Sequence, residues 1–481
     1  MNEGCTPGSA ARPWPTPPGP GTVQPMGPRI TLVGGGSTHW TPRLLCDFAN
    51  TPSLRDAEVV LMDVDESSLG PMLVIAKHIA ATRGIGLSVT ATTDLARALD
   101  GAAFVVTGLS VGGFASMVHD LEIPARYGIR QSVGDSVGPG GISRSLRSIP
   151  VMLDIAREIE RSAPDALLLN VSNPLTALCR AVTSQTRVRT VGLCNELVGL
   201  QFWLSLVFDA DMRRVDPVVA GVNHFPIVTA LRIGDADGFA MLRDVFDHPE
   251  QLDGQPVWMA PPPASHWHRL DPGRDWTKAD VWSAARLKLE LFHRFGVLPG
   301  SADTHVAEFV PWFVQAASDH GRDWGVHHYG IAGHREDKAD DDASAAELAA
   351  GGDLPGWSSG ELVAPLIDAV VTGTPRHLPV NLPNRGQVEG LPEGVVVECM
   401  GVADAGGVRA RDVASPGRLT EHVRRVVASQ ELTVEAAISG DRGTVVEAML
   451  ADPLAGTLPW EHVQAMTDEL LAATAPWLPR V

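Results

Sequence analysis

Tyrosine, cationic residues and paired cysteines are all scarce in this chain. Only Tyr127 and Tyr329 occur among 481 residues, so chemistry that needs a phenol has two positions to draw on. The five cysteines, Cys5, Cys46, Cys179, Cys194 and Cys399, are an odd set without a CxxC pair. That argues against a disulfide framework or a structural zinc site and fits a reducing compartment. Lys and Arg number 38 against 57 Asp and Glu, a formal charge of −19. Such a surface repels phosphate backbones, so a nucleic-acid partner is not expected. No apolar run approaches the ~18 residues that would suggest a membrane helix. The first ~28 residues lack the basic start and apolar core of an export signal. The Pro- and Gly-rich run ARPWPTPPGPGTVQPMGP instead predicts an extended or disordered tail over residues 1–28. Together these absences point to a cytoplasmic protein that acts on small molecules.

A hydrophobic fraction of 44% allows a sizeable core, and the length suits about two or three domains. From Arg29 onward, apolar runs alternate with helical spacing. Strands are expected at Ile30–Val33, Glu58–Asp63, Leu87–Ala91, Ala102–Thr107, Ala166–Val171 and Arg189–Leu193, with helices at Thr41–Ala49, Met72–Ala81 and Ser143–Arg161. This alternation predicts an α/β fold, a Rossmann-type doubly wound parallel sheet over 29–195, followed by a mixed α+β domain over 196–481. Gly138-Pro139-Gly140-Gly141 reads as a glycine-lined turn or loop, and Asp337–Asp353 as an acidic surface loop. Gly394–Cys399 is expected to be a strand, and Leu419–Leu450 and Trp460–Ala473 to be helical.

Gly34-Gly35-Gly36-Ser37 lies between the first expected strand and helix. Glycine lets the backbone approach a pyrophosphate, and a helix N-terminus favours its charge. Asp63 closes the second strand, where a carboxylate binds ribose hydroxyls and repels a 2′-phosphate, favouring NAD over NADP. Taken alone, the glycines also suit a plain tight turn and Asp63 a helix cap.

Three polar clusters follow strand-like runs: Ser172-Asn173-Pro174, Cys194-Asn195-Glu196 and Gly221-Val222-Asn223-His224. Ligands of open α/β sheets bind beyond the carboxyl ends of strands. Cys194 and His224 could share a metal ion; alone, each equally suits a buried thiol or a core histidine. Asn173 could bond a sugar hydroxyl. Asp303 and His305 form a further titratable cluster with Glu308, although Asp303 also suits a helix cap.

At these residues the chain resembles glycoside hydrolase family 4, the NAD- and Mn-dependent glycosidases. The matching segments are ITLVGGGSTHWTPRLL, LMDVDE, YGIRQSVGDSVGPGGISRSLRSIPVMLDIAREIE, ALLLNVSNP, VGLCNE, VAGVNHF, DTHVAEFVPWF and VNLPNRGQVEGLP, in that order. The resemblance implies a fold of the lactate dehydrogenase/family 4 type, NAD and Mn²⁺ (or another divalent metal) as cofactors, and a homodimer or homotetramer. It implies Gly34, Gly36, Ser37 and Asp63 as NAD contacts, Cys194 and His224 as metal ligands, and Asn173 and Asn195 as substrate contacts. Many members carry a tyrosine base where this chain has Trp357, and tryptophan cannot abstract a proton. The segment GVLPGSADT resembles one in which some α-glucosidase members use an aspartate, which implies Asp303 as the first candidate base and His305 as the next, with Glu196 a candidate acid. Arg126, Arg130, Arg144 and Arg147 are the cations near the glycine-rich segment. The expected activity is cleavage of a non-phosphorylated α-glycoside or hexuronide. A 2-hydroxy-acid dehydrogenase and a non-catalytic NAD sensor are the alternatives.

Overall fold

The computed structural model describes residues 27–259, 275–355, 358–411 and 415–479. The tail expected over 1–28 thus falls almost wholly outside the described residues, as does Trp357. All thirteen strands found there join one sheet. Strands β1 (Arg29–Val33), β2 (Glu58–Met62), β3 (Ser88–Thr92), β4 (Phe104–Thr107), β5 (Leu167–Asn170) and β6 (Arg189–Gly192) are parallel, in the order β3-β2-β1-β4-β5-β6. β4 and β5 are buried along their whole length, as expected of parallel strands covered by helices on both faces.

The second half adds to this sheet. β7 (Val215–Val222), β8 (Phe225–Ile233), β9 (Ala236–Asp237), β10 (Leu298–Pro299), β11 (Arg376–Pro383), β12 (Val396–Asp404) and β13 (Gly407–Ala410) pair antiparallel. β11 docks on β6 through Asn381 opposite Gly192, joining the two halves. A Cβ at Gly192 would lie 2.9 Å from both the Asn381 side chain and the Cys179 sulfur, so the join needs glycine there.

Two expectations are corrected. The segment Gly138–Gly141 is the first turn of the helix Gly138–Ser162 rather than a loop. Its amides are satisfied from outside the helix: Gly138 N–H donates to Asp452 Oδ2 at 2.9 Å and Gly140 N–H to Gln131 Oε1 at 2.8 Å. The glycines are there for packing, since a Cβ at Gly141 would stand 2.4 Å from the Ser136 carbonyl carbon. The acidic stretch Asp337–Asp353, expected as a loop, lies largely in the helix Gly330–Ala349. Only Ala345 of that helix is buried, so apolar periodicity is missing; its acids bond neighbouring segments instead. Leu419–Leu450 is helical as expected, in two segments, Thr420–Ser439 and Arg442–Ala451, parted at Gly440, whose φ of 73° is left-handed.

Candidate active site

The nucleotide loop follows β1. Gly34 has φ 92°, and a Cβ there would meet the Gly108 carbonyl oxygen at 2.2 Å. Gly36 N–H donates to Asp63 Oδ2 at 3.0 Å, and a Cβ on Gly36 would overlap Ser68 Oγ at 1.8 Å. Ser37 Oγ accepts the Trp40 N–H at 3.1 Å, at the start of the helix Trp40–Asn50. Gly34, Gly36, Ser37 and Asp63 thus sit together in a backbone-lined cradle at the carboxyl ends of β1 and β2. The helix Gly330–Ala349 leans over it: Asp341 bonds His39 at 2.7 Å and Arg43 at 3.1 Å, and Asp342 bonds Thr38 at 2.7 Å.

Beyond the ends of β5, β6 and β7 lies a second cluster. His224 occupies the tight turn between β7 and β8 with φ 64°. A left-handed conformation is unusual for a side chain of this size and costs on the order of 1–3 kcal/mol. The ring is 3% exposed, and its Nδ1 lies 2.8 Å from Ser136 Oγ. It packs on His305 with ring centroids 3.8 Å apart. Burial, then the neighbouring His305, pushes the His224 imidazolium down to a pKa of about 4. The ring is therefore neutral at pH 7, with a lone pair free to ligate.

Asp135, which sequence reasoning missed, stands in the same group. Its Oδ1 is 3.8 Å from His224 Nδ1, and its Oδ2 accepts the Asn173 amide at 2.8 Å. Burial raises its pKa, but His224, His305 and Arg144 outweigh that and hold it at about 2. One ligand atom each from Asp135, His224 and His305 lies within 4.8 Å of the others, the one such group among the described residues. Asn173 is also tied from its carbonyl, which accepts Arg144 Nε at 3.1 Å.

Cys194 stands at the end of β6, outside this trio. Its thiol is bonded by the Asn223 side chain and the Glu196 backbone N–H; burial, then Glu398 and Glu196, raises its pKa well above that of a free thiol. Asn195 donates to Glu361 at 2.7 Å. Glu196 Oε2 accepts the Ala302 N–H at 2.6 Å, leaving Oε1 3.9 Å from His305 Nε2. Burial disfavours the Glu196 carboxylate, yet His305 and His224 keep its pKa low.

Asp303 is differently engaged. Its two oxygens accept the Leu287 and Lys288 N–H groups at 2.7 and 3.1 Å, closing the N-terminus of the helix Arg286–Phe295. The carboxylate ranked first as base in the sequence reading is thus committed to a helix end, and His305 faces the cleft instead. Tyr127 bonds Glu469 and packs on His462, and Tyr329 bonds Asp337. Among the cations, Arg147 is 1% exposed and paired with Asp120, so it is no surface residue. Arg126 pairs with Glu469, and Arg130 is exposed. Arg144 alone of the four is counted among the charges acting on Asp135.

The family models for "Family 4 glycosyl hydrolase" and its C-terminal domain match residues 29–209 and 219–455. The chain belongs to glycosyl hydrolase family 4. An α-galacturonidase of Thermoanaerobacterium saccharolyticum is 30% identical over 466 residues, covering 93% of this chain and 96% of that protein. A Bacillus subtilis protein described as a glucosidase has a solved structure with TM-score 0.81 at 27% identity, covering 92% of this chain and all of that one. A 6-phospho-α-glucosidase from gut microorganisms, solved with NAD and Mn²⁺, shares the fold at TM-score 0.77 and 20% identity, covering 95% and 100%. Membership of this family makes the chain a glycosidase and sets aside the dehydrogenase and sensor alternatives. Among the described residues no helix is long and apolar enough to cross a membrane.

Proposed function

We propose that this glycosidase cleaves a non-phosphorylated α-glycoside, best a hexuronide, by transient oxidation of the sugar with NAD and a divalent metal. The observation that carries the reading is the convergence of Asp135, His224, His305 and Asn173 beside the cradle of Gly34, Gly36, Ser37 and Asp63. The donors fit the groups: carboxylate and neutral imidazole suit Mn²⁺, and a glycine loop at a helix start suits a pyrophosphate.

When bound, the nicotinamide supplies a hydride acceptor and later donor, and the metal supplies a Lewis acid. Gly34, Gly36 and Ser37 would hold the pyrophosphate, and Asp63 the adenosine ribose. His224, with Cys194 as the second ligand the family resemblance implies, would hold the metal. Asn173, oriented by Asp135 and Arg144, presents its amide to the sugar hydroxyls, and Asn195 adds a second contact. With the cofactor bound, the sugar would be oxidised at C3, and the ketone so formed would acidify the C2 proton. Glu196 Oε1 or His305 would take that proton, in place of the capping Asp303. Elimination would then break the C1–O bond, the aglycone oxygen leaving with a proton from water, and water would add back with its hydroxyl at C1 and its proton at C2 before C3 is reduced again. No NADH accumulates.

Arg144 supports the substrate class. Arg147 is spent on Asp120, so one guanidinium remains beside Asp135. A single planar cation matches a uronate carboxylate, whereas a phosphate dianion calls for more positive charge. The decisive test is a panel of nitrophenyl α-galacturonide, α-glucuronide, α-galactoside and 6-phospho-α-glucoside, assayed with NAD⁺ and Mn²⁺. Turnover is expected on the uronides and the unphosphorylated galactoside; turnover confined to the phosphorylated sugar overturns this reading.

A further inference from the structure

Glu361 is a buried acid that the steps above leave unused. It closes the loop before the helix Val363–Thr372 and is 6% exposed. That loop is pinned to the helix Trp40–Asn50, which starts at the nucleotide cradle. Asp47 of this helix accepts the Ser358 hydroxyl at 3.1 Å, the Ser359 N–H at 3.0 Å and the Ser359 hydroxyl. Ser359 Oγ in turn accepts the Glu361 N–H at 3.0 Å. On the other side, Glu361 Oε1 accepts the Asn195 amide at 2.7 Å. The carboxyl is therefore held between the helix leaving the cradle and a residue assigned above to the sugar. Its Oε2 has no hydrogen-bond partner among the described residues.

The charge state suits a proton donor. Burial pushes the carboxyl up to about 7 against the pull of Arg43; Asp47 adds to the rise and the Asn195 amide opposes it. A general acid works best when its pKa lies near the working pH. Protonated, Glu361 keeps the Asn195 bond on Oε1 and carries a hydrogen on Oε2 that is free to be given away.

Water suffices to protonate a weakly basic nitrophenolate as it leaves. An alkoxide is a far stronger base and departs readily only with an acid beside it. We propose that Glu361 is the catalytic acid that protonates the aglycone oxygen when the aglycone is an alcohol or a second sugar. This rests on the glycosidase reading above and deepens it. The C1–O electron pair goes to the oxygen, the Glu361 proton follows, and the aglycone leaves as an alcohol. The proton taken from C2 passes to solvent, and solvent returns one to Glu361, so the acid is restored in each turnover.

The test compares methyl and nitrophenyl α-glycosides of one sugar, with NAD⁺ and Mn²⁺, in the wild type and in Glu361→Gln. Glutamine keeps an oxygen for Asn195 but has no acidic hydrogen. The variant is expected to lose about a hundredfold or more in kcat on the methyl glycoside, and to change little on the nitrophenyl one. Equal losses on both substrates, or none on either, overturn the proposal and make Glu361 a strut for Asn195. A second measurement does not depend on the variant folding. In the wild type the solvent deuterium isotope effect on kcat should be larger for the methyl glycoside; equal effects overturn the proposal as well. So does wild-type cleavage confined to the nitrophenyl substrate. Failure of the wild type to cleave either overturns the underlying reading, and this one with it.

Discussion

The nucleotide cradle and the metal cluster lie on the same sheet but are assembled in opposite ways. The cradle comes from one stretch of chain: β1, its glycine turn, and Asp63 at the end of the next strand, closed by Gly34 and Gly35 N–H to the Met62 carbonyl at 2.9 Å each and by Gly36 N–H to Asp63 Oδ2 at 3.0 Å. The metal cluster takes residues 135, 173, 196, 224 and 305 from five separate segments of the chain, two of them helix starts. Backbone geometry makes the first site, whereas side chains imported by topology make the second. The first should therefore fail through added bulk and the second through lost donors, each largely without harm to the other.

The largest effect should come from His224→Ala. It is expected to lower glycosidase turnover by about a thousandfold or more, as loss of a metal-holding group does, with NAD⁺ affinity unchanged in a titration of nicotinamide binding. Next, Gly36→Ala places a methyl group 1.8 Å from Ser68 Oγ and 3.0 Å from Asp63 Oδ2. NAD⁺ binding should weaken by one to two orders of magnitude, while Mn²⁺ binding, read by calorimetry, should not change. Equal losses of both ligands in either variant would erase the distinction between the two sites.

A smaller effect separates the two readings of Asp303. Asp303→Asn replaces one of two acceptors of buried N–H groups, which costs about 1–3 kcal/mol. The melting temperature should fall, while turnover per folded molecule should stay within a few-fold of wild type. A hundredfold loss of kcat at unchanged stability would restore Asp303 as the base.

The smallest effect is on pH-dependent stability. Burial raises Glu308, Glu361 and Glu398 to about 7. Between the ordinary carboxylate range and pH 7 the native state therefore binds more protons than the unfolded chain, and stability falls as pH rises through that window. The apo-protein should melt at a higher temperature at pH 5 than at pH 8. Glu398→Gln should flatten the slope; a steeper slope, or a rise towards pH 8, contradicts the assignment.

The same contrast explains what was legible in the sequence. β1, β2, β4, β5 and β6 follow from apolar runs ending in glycine or polar residues, β3 only weakly since SVTAT is half-exposed, and the cradle is local enough to be read off them. Extension of the sheet by β7, β11 and β12 rests on long-range pairing, such as Asn381 opposite Gly192, that has no local signature. Asp135 was hidden because Gly134-Asp135-Ser136 reads as a turn; its position just before a helix N-terminus was the one available hint. Asp303 misled because a carboxylate beside a histidine looks the same in sequence whether it faces the cleft or caps another helix. The helix Gly330–Ala349 was missed because its acids are held by Thr38, His39 and Arg43 rather than by an apolar stripe.

The account turns on the sugar passing through a ketone that loosens its C2 hydrogen. Hydrolysis of a reactive aryl α-glycoside in deuterium oxide, with NAD⁺ and Mn²⁺, tests this directly by NMR of the released sugar. Deuterium at C2 of the product is the predicted result. Product released at full rate with only protium at C2 would contradict it.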